Sequence, residues 1–243
     1  MPAMGADQNL DWAAAAASAL DWWQDAGVDV LVEDERFDWL AVPAARPAAA
    51  PAAAPVAVPE VLPDTWEAFA AWRIGDAAPE ARWGGVTVAA SGAPGADLLF
   101  LVDCPERGDR EALMEGEVGR LFDRMLAAIG RTRADVALAA VCTRRPTTGR
   151  VPREVEARLG EIARHHVALA GPTRVLAMGD AATRALLATN VAEARGRLHG
   201  LNHKNATIAQ VVATHHPRFL LDRPAAKAEA WKDLLLLTGT DRS

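Results

Sequence analysis

The chain reads as an α/β protein: a three-layer α/β/α body on a central four-stranded parallel sheet, with an N-terminal extension. Three observations predict this. Four short apolar runs, at 98–102, 136–142, 175–178 and 208–214, have strand length and do not alternate with polar residues, as expected of strands buried on both faces. Helix-like segments separate the runs, which is the pattern of a parallel sheet covered by helices. An Ala/Pro tract at 41–63 divides an arm, residues 1–40, from a body, residues 64–243.

Each element has its own signal. In the arm, residues 11–26 suggest a helix with Asp11 as cap and Gly27 as stop. Val28, Val30 and Val32 then alternate with acids like a short strand. In the tract, Pro43, Pro47, Pro51, Pro55, Pro59 and Pro63 recur every four residues, which forbids a regular helix and favours an extended, semi-stiff linker. In the body, Asp64 is placed to cap a helix over 65–73. Residues 117–129 form a second helix that stops at Gly130, and Val155, Leu159, Ile162 and Leu169 mark one face of a third that ends at Gly171-Pro172. Residues 180–187 and 227–237 complete the set.

Composition narrows the function classes. Two cysteines, Cys104 and Cys142, among 243 residues make no disulfide framework and too small a thiolate set for a zinc or iron–sulfur site of their own, so a reducing, cytoplasmic setting is expected. No apolar run is long enough to span a bilayer, and the acidic N-terminus is unlike a secretory signal. Residues 1–62 hold ten acids and two bases, whereas the rest holds 24 bases, 22 acids and all six histidines. An acidic arm is therefore joined to a mildly basic body, and an acidic pI leaves nucleic acid open as a partner. The arm also carries Trp12, Trp22, Trp23 and Trp39. It folds back to bury them, serves as a tethered recognition peptide for a protein partner or, third, offers acids that mimic DNA and shield a basic groove.

The most informative motif is His215-His216-Pro217-Arg218 at the exit of the last apolar run. An open α/β sheet binds its ligand outside the carboxyl ends of its strands. Proline sets the chain direction there, and histidine can donate to a developing anion.

Together with this motif, Gly119-Arg120-Leu121-Phe122-Asp123-Arg124-Met125-Leu126, Val175-Leu176-Ala177-Met178-Gly179-Asp180 and Thr65-Trp66-Glu67-Ala68 stand in an order that resembles the uracil-DNA glycosylase superfamily, most closely its family-four branch, over residues 64–238. The resemblance implies DNA as substrate and hydrolysis of the glycosidic bond of a flipped base. A carboxylate after the first strand would orient water, an aromatic ring would stack on the base, an asparagine would read its edge, and the motif histidine would stabilise the departing anion. Many members also hold a four-cysteine iron–sulfur cluster.

Carried over residue by residue, the first motif, Gly-Glu-Ala-Pro-Gly, falls on Val102-Asp103-Cys104-Pro105-Glu106. Asp103 and His216 become the candidate catalytic residues. Cys104, Pro105, Met114 (at the aromatic position) and Ala140 (at the asparagine position) become the candidate base pocket. The cluster cysteines are absent: the first pair would fall within 73–82 and the third near Arg144, so no cofactor is expected. Arg144, Arg145 and Arg150 read as a phosphate-contacting loop, with Arg131 and Arg133 nearby and Arg218 and Arg223 on the same rim; the alternative is a solvated loop. Phe219 and Leu220 are either an apolar wedge into DNA or the start of the final packed helix.

Asp103 is otherwise a cap for the turn after its strand, and His216 otherwise a structural residue bonded to backbone. Cys104 lacks a histidine neighbour in sequence and reads as packing rather than a nucleophile. His215 reads as packing and His165 and His166 as surface or packing, while His199 and His203 flank a Gly200 turn that could border the site.

Three functions follow: a divergent DNA glycosylase; a catalytically degenerate DNA-binding or repair-complex subunit that docks through its arm; and, third, a nucleotide- or phosphate-binding protein using the same crevice.

Overall fold

In the computed structural model, residues 12–25, 61–202 and 208–239 are described. The chain divides into two compact units, 1–58 and 59–243. In the first, α1 spans Trp12–Asp25, and the rings of Trp22 and Trp23 meet edge to face at 5.4 Å. The expected valine strand, Trp39, the proline linker up to residue 60 and His203 lie outside the described residues.

The second unit runs α2 (Trp66–Ile74), β1 (Leu98–Val102), α3 (Gly116–Ala128), β2 (Ala137–Ala140), α4 (Arg153–Ala170), β3 (Arg174–Met178), α5 (Asp180–Leu187), α6 (Val191–Ala194), β4 (His199–Asn202), β5 (Ile208–Thr214), α7 (Pro217–Asp222) and α8 (Lys227–Thr238). The sheet has five strands in the order β2-β1-β3-β5-β4. The four expected strands pair in parallel, and β4 adds an antiparallel edge against β5. The four-strand expectation is corrected here. His199-Gly200-Leu201-Asn202 alternates half-buried with exposed residues, so an edge strand carries no apolar run to announce it.

The buried strands do two jobs at once. All five residues of β1 are buried. Leu99 and Leu101 join Ala139, Val175, Ala177 and Val211 in one cluster with Phe69 of α2, Leu159 and Ile162 of α4, and Ala182 of α5. Their neighbours Leu98, Phe100 and Val102 join Leu176 and Val212 in a second cluster with Phe122 of α3, Leu220 of α7 and Leu234 of α8. Alternation along each strand separates the two clusters, and each large side chain buried in them contributes about 1.5–3 kcal/mol.

Two local details fix the loops around the strand ends. Thr65, not Asp64, caps α2: its Oγ1 accepts the Ala68 N–H at 3.3 Å. A cap must directly precede the first helical turn, and that position belongs to Thr65. In the loop after β1, the buried Asp109 carboxylate accepts N–H bonds from Glu106 (2.7 Å), Met114 (3.0 Å) and Glu115 (2.8 Å). Gly119 lets α3 pack against that loop, since a Cβ there would lie 1.9 Å from the Met114 carbonyl oxygen.

The order of the sheet positions the site. The chain leaves β1 toward β2 on one side and returns to β3 on the other, so the crevice between β1 and β3 at their carboxyl ends is the switch point where α/β sheets bind ligands. Asp103 follows β1, Gly179 follows β3 and His216 follows β5.

Candidate active site

A cleft of about 1200 Å³ opens at these strand ends, and Asp103, Gly179, His216 and Arg218 all line it. His216 is buried and caps α7: its Nδ1 accepts the Arg218 N–H at 3.1 Å. A ring nitrogen that accepts carries no hydrogen, so in the neutral ring the proton is on Nε2. Burial holds the His216 pKa down to about 4, outweighing the upward pull of Asp103. At neutral pH the ring is therefore an uncharged donor through Nε2. That atom lies 3.5 Å from Asp103 Oδ1 and 3.8 Å from Glu106 Oε1, and is buried without a hydrogen-bond partner among the described residues.

Backbone geometry supports this placement. Gly179 has φ +94°, and a Cβ there would sit 3.3 Å from the His216 Cβ. A side chain at this turn would meet both a strained backbone and the histidine.

The carboxylates are bound from opposite sides. Asp103 Oδ1 accepts the Cys104 N–H at 2.9 Å, and Oδ2 accepts Arg218 Nη2 at 2.8 Å. Arg218 Nη1 donates to Glu106 Oε1, so one guanidinium bridges two carboxylates. Burial works against the Arg218 charge, yet Asp103 and Glu106 hold its pKa above the ordinary value. Burial also raises the Glu106 pKa, with Arg218 opposing. Arg145 closes the group, donating to the Pro105 carbonyl at 2.8 Å with its guanidinium 3.8 Å from Glu106 Oε2.

The Uracil DNA glycosylase superfamily model matches residues 90–235, a stretch that holds β1 to β5 and every residue just described. The chain belongs to the uracil-DNA glycosylase superfamily. It is also 26% identical over 152 residues to the type-4 uracil-DNA glycosylase of Pyrobaculum aerophilum, an alignment covering 58% of this chain and 76% of that enzyme. The resemblance read from the sequence, family-four branch included, stands.

Within this cleft, Asp103 and His216 face each other, and each also fills the structural role that was its alternative: Asp103 caps the turn after β1, and His216 caps α7. The expected base-pocket residues do not line the cleft. Met114 (φ +61°) and Ala140 are buried in the cluster with Phe100 and Phe122. Cys104 and Pro105 are buried behind Asp103. Burial, aided by Asp103, pushes the Cys104 thiol up to about 12, so it is no nucleophile at neutral pH.

The arginines divide. Arg145, Arg150 and Arg218 line the cleft. Arg144 turns inward to the Ala81 and Trp83 carbonyls and to Thr87 Oγ1 at 2.7 Å. It clamps that loop, which corrects its reading as a phosphate contact. Arg223 lies over the Phe219 ring at 5.7 Å, and Arg133 holds the Leu113 and Met114 carbonyls. Leu220 is buried in the core while Phe219 is partly exposed, so only Phe219 remains available as a wedge. His215 stacks on Phe219 at 4.7 Å.

A four-cysteine iron–sulfur cluster does not fit these residues. The chain has two cysteines, both buried with raised thiol pKa values, whereas such a cluster takes four thiolates. The stretches where its ligands would fall are held by other contacts. Arg73 pairs with Glu80, both buried, and donates to the Val141 carbonyl, while Glu80 Oε1 also accepts the Thr143 N–H at 2.8 Å.

Sequence reasoning passed over Glu106 as a neighbour of Asp103 that shares its Arg218 partner. Its signal was present: a second carboxylate three residues after Asp103, in a position where the superfamily motif has glycine.

Proposed function

We propose that this protein is a divergent DNA glycosylase, hydrolysing the N-glycosidic bond of a flipped damaged base such as uracil. One observation carries the reading. A neutral histidine, its buried Nε2–H unpaired among the described residues, stands beside the Asp103 carboxylate at a cleft on the sheet's switch point. Asp103 orients a water toward the sugar carbon as the glycosidic bond breaks, and the His216 Nε2–H donates to the departing base anion, a contact that strengthens as charge develops. Arg145 and Arg150, on the cleft wall, hold DNA phosphates. The two clusters on opposite sides of the sheet support a three-layer α/β/α body around four parallel strands. In this reading the protein acts on DNA, in the cytoplasm and without a cofactor.

A second reading has its own observation. Arg218 bridges Asp103 and Glu106 beside His216, and Ala140 offers no amide to read a base. A degenerate DNA-binding or repair-complex subunit, docking a protein partner through its N-terminal arm, would have such a self-satisfied site.

Single-turnover cleavage of uracil-containing oligonucleotides, single- and double-stranded, separates the readings. Abasic product from the parent, reduced about 10²–10³-fold in His216→Ala and also lost in Asp103→Ala, supports the glycosylase. Intact substrate with retained DNA binding in the same samples supports the subunit.

A further inference from the structure

His216 is held in two ways. Its ring is turned by the Arg218 N–H, which donates to Nδ1. Its backbone is placed from two residues earlier, at Thr214, the last residue of β5. Thr214 is fully buried, and its carbonyl and hydroxyl are both engaged. The carbonyl accepts the Gly179 N–H at 2.9 Å, which ties the exit of β5 to the turn after β3. The hydroxyl donates to Asp233 Oδ2 at 2.8 Å, which ties the same exit to α8.

Asp233 stands where packing alone would place an apolar residue. It is 1% exposed, among the residues of α8 that are buried with it, Ala230, Leu234 and Leu237. A carboxylate in that setting costs stability that a leucine would not, unless its oxygens are bonded. Both are. Oδ2 also accepts Arg195 Nη2 at 3.2 Å, and Oδ1 accepts the Gly196 N–H at 3.2 Å. Arg195 Nη1 in turn pairs with Glu229, one turn earlier on α8, at 2.7 Å, and Glu229 lies 3.4 Å from His215 Nε2. The exit of β5, the chain after α6, and α8 therefore meet on one buried carboxylate. Thr214, Asp233 and Arg195 all stand outside the lining of the cleft, so the water-and-anion chemistry leaves this network without a role.

We propose that Asp233, acting through Thr214, is a positioning residue for His216 and fixes where the Nε2–H stands for the departing base. This rests on the glycosylase reading above. The chemistry supplies the reason. A donor stabilises a developing anion when it lies about 2.7–3.1 Å from where that charge forms. His216 Nε2 is 3.5 Å from Asp103 Oδ1 and has no hydrogen-bond partner among the described residues. No bond at the ring tip sets its place, so its distance from a bound base follows the backbone at the end of β5. That backbone is tied to the Gly179 turn by the Thr214 carbonyl and to α8 by the Thr214 hydroxyl. Releasing the second tie lets the donor drift, and a misplacement of about 1 Å from a change away from the chemistry costs about 10²-fold in rate.

The test measures kcat and KM separately on a uracil-containing oligonucleotide for parent, Thr214→Val, Thr214→Ser, His216→Ala and the Thr214→Val/His216→Ala double variant. Thr214→Val keeps the side-chain shape and deletes the bond to Asp233, whose Oδ2 still holds Arg195, so no charge is stranded. Thr214→Ala repeats the deletion in a smaller side chain, and urea midpoints show that each variant is folded under assay conditions. The expected result is a kcat lower by about 10²-fold in Thr214→Val with KM unchanged, most of it restored in Thr214→Ser. In the His216→Ala background Thr214→Val should make no further difference, because the two residues act as a unit. If folded Thr214→Val and Thr214→Ala keep kcat within about twofold, or if Thr214→Val loses the same factor with and without His216, the inference is overturned and the glycosylase reading stands. A parent that leaves uracil intact overturns both.

Discussion

His166 gives the most quantitative test of how the helices around this sheet are packed. The ring is buried against Trp66 and Phe69, with centroids 5.3 and 5.4 Å away. Burial, with Arg73 and His165 adding to it, lowers its pKa from 6.5 to about 4. Below pH 6.5 the unfolded chain binds a proton at this residue that the native state refuses. The stabilisation is therefore fully present above the unfolded value and is lost as pH falls toward about 4. At about 1.4 kcal/mol per pH unit per proton, the loss across that window comes to about 3 kcal/mol. His166→Phe keeps a ring and removes the titration. Urea unfolding followed by tryptophan fluorescence at pH 7, 6 and 5 should give a stability-against-pH slope shallower in the variant by close to one proton. The remaining slope includes His216, which burial depresses in the same direction. The reading is of slopes, so any constant packing difference drops out. Parallel curves for parent and variant would refute the buried, uncharged assignment.

Two further outcomes are expected. Glu80→Ala strands the buried Arg73 and the Thr143 N–H and should cost about 3–5 kcal/mol; Arg73→Met with Glu80→Leu should recover most of it, and denaturation midpoints with an unchanged m-value check both. Cys104 and Cys142 are buried with raised thiol pKa values, so a disulfide-exchange reagent at pH 8 should label neither until urea unfolds the protein; prompt stoichiometric labelling of native protein would contradict the packing.

Much of the fold was legible because burial on both faces writes itself as continuous apolar runs. Leu98–Val102 and Ile208–Thr214 are strands over the expected residues, and Asp180–Leu187 is a helix over the expected residues. The edge strand His199–Asn202 was not legible, since one face and one edge are solvated and nothing forces apolar residues there. The run 136–142 was read too long: strand pairing covers Ala137–Ala140, after which Val141 and Cys142 still bond to the Val102 and Asp103 carbonyls as the chain turns away. The candidate site was legible at Asp103 and His216, because a strand-end carboxylate and a His-Pro turn have sequence signatures. It was illegible at Met114 and Ala140, where alignment to a motif predicts a position along the chain but not whether the side chain faces the cleft or the core.

The sequence alone determined the alternation of strands and helices, the superfamily, and the two residues that belong at the ends of β1 and β5. These are local or periodic properties, recorded wherever a residue's neighbours in the chain set its environment. Only the tertiary structure decided the chemistry around them. It made His216 neutral with its proton on Nε2, drew Arg218 from the rim onto Asp103 and Glu106, turned Arg144 inward, and brought Glu106 beside the histidine. Residues more than a hundred positions apart, such as Asp103 and Arg218, meet only because the sheet order sets the ends of β1 and β5 around one crevice. Their charges depend on a burial that no single stretch of chain contains.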